Sequence, residues 1–114
     1  MTLKNKRPWG YFEILSDAPD HKIKRIVVEP GGILSLQRHK QRSEHWFVVS
    51  GKGIAIVDGK KKSLHAGSSL DIPQKAKHRV QNSSDENLII IEVQTGEYCG
   101  EDDIERLEDK YGRI

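Results

Sequence analysis

Short apolar or alternating runs, separated by turn residues, recur along most of the chain. Residues 23–29, 33–37, 44–49, 53–58, 61–64, 69–72, 78–81 and 88–93 each read as a strand. Between them lie Pro30-Gly31-Gly32, Ser50-Gly51, Asp58-Gly59, Ala66-Gly67, Pro73 and Asn82-Ser83-Ser84, all residues that turn the backbone. Strands this short and this regularly punctuated predict an all-β antiparallel barrel or jelly roll. Residues 88–91 are apolar throughout, which predicts a strand buried on both faces. The tail differs. Ile104, Leu107, Glu108 and Tyr111 have helical spacing, Glu101, Asp102 and Asp103 crowd the start, and Gly112 follows the end. Acids at the positive end of a helix dipole and a glycine after its last turn predict a short C-terminal helix.

Period-two parity sorts the side chains. Gln37 and His39 share a face. If Glu44 points inward, Trp46 and Val48 do too, and so does Arg42, while His45 points out. Lys24 shares its face with Ile26 and Val28, so it either snorkels to a rim or meets an anion. Glu44 opens an apolar strand, where an unpaired carboxylate is costly unless a cation neutralises it. His78 arrives after Pro73, and Asn82 fits the closing of a turn. One amide, two imidazoles and a carboxylate from Gln37, His39, Glu44 and His78 make a workable set for a divalent ion with an open position. Zn, Mn, Co, Ni and Fe all accept such mixed N/O donors.

Size and charge narrow the function. The 114 residues suffice for one domain spanning 1–114 and one core. A formal charge of +2, from 19 Lys+Arg against 17 Asp+Glu, is too small to argue for nucleic acid. Lys60-Lys61-Lys62 follows the hairpin pair Asp58-Gly59 and reads as a solvated turn. The lone Cys99 excludes an internal disulfide and fits a reducing compartment. The N-terminus lacks an apolar stretch and no segment nears the ~20 apolar residues of a membrane span, so a soluble cytoplasmic protein is expected. A barrel with an exposed edge is also expected to pair as a two-fold homodimer.

Gly31, Gln37, His39, Glu44 and Gly51, followed by Gly67, Pro73, His78 and Asn82, resemble in their spacing the two signature motifs of the cupin superfamily. Gln37 stands where the first ligand is usually histidine, and Lys75 where the second motif usually has glycine. The words Arg7-Pro8-Trp9-Gly10, Leu34-Ser35-Leu36-Gln37, Arg42, Glu44-His45-Trp46, Ile91-Glu92-Val93-Gln94, Glu101-Asp102-Asp103-Ile104, Asp109 and Tyr111-Gly112-Arg113 resemble the type II mannose-6-phosphate isomerase family. That resemblance covers nearly the whole chain. It implies a cupin barrel, a divalent metal on Gln37, His39, Glu44 and His78, and interconversion of mannose 6-phosphate and fructose 6-phosphate or a similar sugar phosphate. Many such relatives carry this domain behind a sugar-nucleotide pyrophosphorylase domain. Arg42, Lys24 and Arg113 are the candidates for the phosphate. Glu101, Asp102 or a water on the ion are candidates for the base. A metal-containing cupin that binds a sugar or other small molecule without transforming it is the alternative, and Gln37 counts against a dioxygenase.

Overall fold

The computed structural model describes residues 3–113, which form eleven β-strands and no helix. One sheet holds β1 (Asn5–Arg7), β2 (Gly10–Ala18), β3 (His21–Val28), β10 (Leu88–Gly96), β5 (Arg42–Ser50) and β8 (Ser69–Ile72), adjacent in that order. The other holds β11 (Glu105–Glu108), β4 (Leu36–Arg38), β9 (His78–Gln81), β6 (Gly53–Val57) and β7 (Lys60–Leu64), again in order. All the pairings are antiparallel. This is the expected all-β jelly roll.

Alternation decides what each strand buries. On β5, Arg42, Glu44, Trp46 and Val48 are buried while His45, Phe47 and Val49 are exposed, as parity requires. On β10, Leu88, Ile90, Glu92 and Gln94 are buried, but Ile89, Ile91 and Val93 are only half-buried. The run expected to be covered on both faces is therefore fully covered on one. Trp46, Val28, Val80, Leu88 and Ile90 are among the residues that fill the space between the sheets. Register then places like with like. Lys24, Glu92 and Trp46 form one cross-strand row, and Lys22, Gln94 and Glu44 the next. Polar inward residues of three strands thus collect at one end of the sandwich, beyond the apolar core.

Turn chemistry behaves as the sequence predicts. Asp58 and Gly59 both have positive φ, 48° and 82°, the two left-handed positions of a type I′ hairpin between β6 and β7. At the first residue of β2, Gly10 has φ 149°, and a Cβ there would lie 2.0 Å from the carbonyl oxygen of Val27. Only glycine lets the backbones approach that closely.

The C-terminal helix is corrected to a strand. β11 pairs with the edge of β4, Glu105 opposite Arg38 and Arg106 opposite Gln37. A four-residue segment gains more from hydrogen-bonding an open sheet edge than from a helix too short to hold itself. The acids expected to start a helix serve as side-chain partners instead. Gly112 closes a left-handed turn, φ 73°, donating to the Asp109 carbonyl.

Candidate metal centre

Gln37 on β4 lies opposite His78, the first residue of β9. His39 follows directly after β4, and Glu44 enters from β5 of the facing sheet. Each imidazole is oriented by a backbone carbonyl. His39 Nδ1 donates to the Asp103 oxygen at 2.6 Å, and His78 Nδ1 to the Ala76 oxygen at 3.0 Å. Both rings therefore carry their proton on Nδ1 and turn a bare Nε2 inward, the tautomer a metal ligand needs. His39 Nε2 lies 3.2 Å from one oxygen of Glu44, and His78 Nε2 lies 3.6 Å from the other. The rings stand 5.2 Å apart, and one donor atom from each of the three residues falls within 4.8 Å of the others. Among the described residues, His78 Nε2 is buried with no hydrogen-bond partner, an orphan that a cation would satisfy. By that test the residues fit a divalent ion.

A cation already meets this cluster. Arg42 reaches His39 Nε2 at 3.2 Å and one Glu44 oxygen at 2.9 Å, with its Nε 3.0 Å from the same oxygen. The guanidinium thus neutralises the buried carboxylate and occupies the His39 Nε2 lone pair, for which an ion would have to compete. Trp46 Nε1 donates to Glu44 at 3.2 Å and to Glu92 at 2.9 Å, so the indole ties the two carboxylates together.

Burial sets the charges. It pushes His39 down to about 4, helped by the adjacent Arg42, and lowers His78 as well, so both rings are neutral near pH 7. Burial, with the negative charge of Glu44 close by, pushes Glu92 up to about 7, partly offset by Lys24. Glu92 can therefore hold or release a proton near neutrality.

The expected residues come together. Gln37, His39, Arg42, Glu44, Lys24, Glu101 and Arg113 all line one cavity, and His78 adjoins it, its ring edge-on to Trp46. Gln37 accepts a 3.4 Å bond from Ser35 and lies beside the cluster. Lys24 does not wait for an anion, because Glu101 binds it at 2.7 Å and also reaches Lys22 at 3.4 Å. Burial works against ionising Glu101, but Lys24 outweighs it and holds the carboxyl below its ordinary value. Arg113 is clamped by Asp109.

Four residues that line or brace the site are given no role in it by the sequence reading: Glu92, Asp103, Arg7 and Arg106. Glu92 was reachable, since it shares inward parity with Leu88 and Ile90. Asp103 was not, because its carboxylate caps the backbone N–H groups of Lys40 and Gln41, at 3.0 and 2.9 Å, across a long chain separation. Arg7 and Arg106 line the same cavity from β1 and β11, strands the apolar pattern does not reveal.

Two facing antiparallel sheets enclosing a His–Glu–His cluster define a cupin. Structural neighbours agree on the fold: the capsular polysaccharide assembling protein CapF from Staphylococcus aureus superposes with a TM-score of 0.80 at 23% identity, over 96% of this chain and 35% of that one. An RmlC-like cupin from Shewanella frigidimarina gives 0.76 at 22% identity, over 89% and 87%. The chain belongs to the family described as Mannose-6-phosphate isomerase C-terminal, matched over residues 1–109.

Among curated relatives, the chain is 49% identical over 107 residues to the alginate biosynthesis protein AlgA of Pseudomonas aeruginosa, covering 94% of this chain and 22% of that protein. It is 42% identical over 107 residues to the mannose-1-phosphate guanylyltransferase of Klebsiella pneumoniae, covering 94% and 23%. The chain thus spans less than a quarter of these relatives. They overturn the expected interconversion of mannose 6-phosphate and fructose 6-phosphate, since the named activity among them is guanylyl transfer. The physical reason is that the motif words report a barrel and its donor atoms, and one such site hosts many reactions.

Proposed function

We propose that this chain is a divalent-metal-binding, enzyme-like cupin domain whose cavity takes a phosphorylated hexose of the mannose 1-phosphate class. The carrying observation is the pair of inward Nε2 atoms of His39 and His78 converging on the Glu44 carboxylate, at a cavity that arginines also line. The sugar class comes from the name of the guanylyltransferase relatives, which bears on this chain as a proposal. His39, Glu44 and His78 would hold the ion, with Gln37 beside them, and when bound it would supply Lewis-acid polarisation of a ligand oxygen.

The chain's own groups supply the rest. Glu92 lines the cavity and can hold or release a proton near neutrality, and the loop bearing Glu101 and Asp103 borders the site. Asp103 holds that loop on the backbone at 40 and 41, which also fixes the carbonyl that orients His39. The outer face of β5 and β10, with Phe47 and Val49 exposed, suits a two-fold homodimer.

Metal content after dialysis against Mn²⁺ or Zn²⁺ tests the centre. One ion per chain is expected, lost in His39→Ala and His78→Ala. Calorimetry with mannose 1-phosphate tests the ligand, and metal-loaded protein that binds neither this sugar phosphate nor another hexose phosphate ends the reading.

A further inference from the structure

Five exposed lysines, Lys40, Lys60, Lys61, Lys75 and Lys77, gather where the β4–β5, β6–β7 and β8–β9 connections meet at one end of the molecule. Backbone contacts hold these connections together. The Lys75 N–H donates to the His39 carbonyl at 2.8 Å, next to Lys40. The Asp58 N–H donates to the Lys77 carbonyl at 2.7 Å, and the Lys77 N–H to an Asp58 side-chain oxygen at 2.9 Å. Lys60 and Lys61 follow across the hairpin turn. Among the described residues, none of the five has a carboxylate within ion-pair distance. The acids nearby are engaged elsewhere: Asp103 caps the N–H groups at 40 and 41, Glu105 pairs with Arg38, and Glu108 with Arg79. Glu105 is held below its ordinary value chiefly by Arg38, with Lys40 and Lys77 adding to the effect, so these two lysines share one neighbourhood.

Lys75 has φ 68°, a left-handed position where glycine would be unstrained, so a charged side chain is carried there at a conformational cost. Beside the lysines the outer face of the sheet is apolar. Ile54 and Ile56 are half-buried on the side of β6 opposite the buried Ala55, and Ile56 lies between Lys61 and Arg79 on the flanking strands. These surroundings select the partner. The free cations are all lysines, which act as point charges, whereas the forks of Arg38 and Arg79, better suited to phosphate, are held by glutamates. The exposed large apolar residues Leu3, Leu15, Phe47, Val49 and Tyr98 all lie in or next to the other sheet. The lysines therefore have neither an aromatic platform for stacking bases nor an anchor for a membrane. Carboxylates interspersed with apolar side chains match lysines set around two isoleucines, and a polypeptide offers both.

We propose that this end of the molecule, with Lys40, Lys60, Lys61, Lys75 and Lys77 around Ile54 and Ile56, docks an acidic segment of a partner protein. The surface lies outside the central cavity and stands independently of any metal or sugar phosphate bound there. The lysines speed and orient the encounter, an effect that salt screens, and the isoleucines add contact that salt leaves intact.

The test uses a short labelled peptide alternating glutamate and leucine, with polygalacturonate, duplex DNA and phosphatidylglycerol vesicles as competitors, and follows binding by fluorescence anisotropy. Wild type should bind the peptide at low salt, prefer it to each competitor, and lose affinity as salt rises. Lys75→Gly combined with Lys77→Gln should weaken binding roughly 10-fold, as for two exposed ion pairs, and should melt no lower than wild type because glycine relieves the strain at 75. Lys40→Gln combined with Lys61→Gln should weaken it as much. Ile56→Ser should weaken the peptide and leave the slope of affinity against salt unchanged. Lys6→Gln combined with Lys52→Gln removes the same charge far from this surface and should stay within about twofold of wild type. Unchanged affinity in the two pairs from the surface overturns the proposal, as does equal weakening in the distant pair or wild type that leaves the peptide unbound. Tighter binding of polygalacturonate, DNA or vesicles overturns the assignment to a polypeptide.

Discussion

Replacing Glu92 by glutamine should stabilise the metal-free protein, and by an amount that depends on pH. Glu92 is buried beside Glu44, and its carboxyl is raised from 4.5 to about 7. A raised carboxyl means the folded state binds the proton more tightly than the unfolded chain. Its contribution is complete below pH 4.5 and is lost as pH rises through 7. Some 2.5 pH units at ~1.4 kcal/mol each make about 3 kcal/mol, the burden an ionised Glu92 places on the fold at pH 8.

Glutamine has nothing to ionise. Its oxygen can accept from Trp46 Nε1, and its amide can donate to Gln94 Oε1, a buried atom without a partner among the described residues, once the Gln94 amide turns over. Urea denaturation in chelator should therefore show Glu92→Gln within about 1 kcal/mol of wild type at pH 4.5 and up to about 3 kcal/mol more stable at pH 8. His39 works in the opposite sense. Its folded value of about 4 lies below the ordinary 6.5, so stability rises with pH across that window, in both proteins alike. A stability difference that stays flat from pH 4.5 to 8, or a variant weaker than wild type at pH 8, would refute the reasoning.

Three further outcomes follow from single contacts. Arg42→Met strips the buried Glu44 of its cation and should cost about 3 kcal/mol in chelator, while freeing His39 Nε2 and so tightening Mn²⁺ binding measured by calorimetry. Lys75 has φ 68°, so Lys75→Gly should relieve left-handed strain and raise stability by up to about 1 kcal/mol in a thermal melt. Gly10→Ala drives a methyl to within 2.0 Å of the Val27 carbonyl and should leave little folded protein by circular dichroism, at a loss above about 3 kcal/mol.

The sequence by itself determined most of the strands whose residues alternate or run apolar, the Asp58-Gly59 hairpin, the inward parity of Arg42, Glu44 and Trp46, and the donor types of the candidate metal centre. These are local properties. Side-chain period and turn conformation are set within a few residues, so spacing alone exposes them. Lys75 shows the same: a departure from glycine, legible in the motif, marks a left-handed backbone position.

Only the tertiary structure decided what depends on partners far along the chain. The segment around Arg106 has helical spacing, yet it is a strand because β4 offers an open edge. Lys24 and Arg42 look like free cations in sequence, but carboxylates from elsewhere in the fold claim them. The proton on Glu92 depends on burial and on Glu44 beside it, and the meeting of Arg7, Arg106 and Arg113 depends on two edge strands and a terminal turn converging on one cavity. Charge pairing and desolvation act through space between groups that chain order keeps apart, and folding alone brings those groups within range.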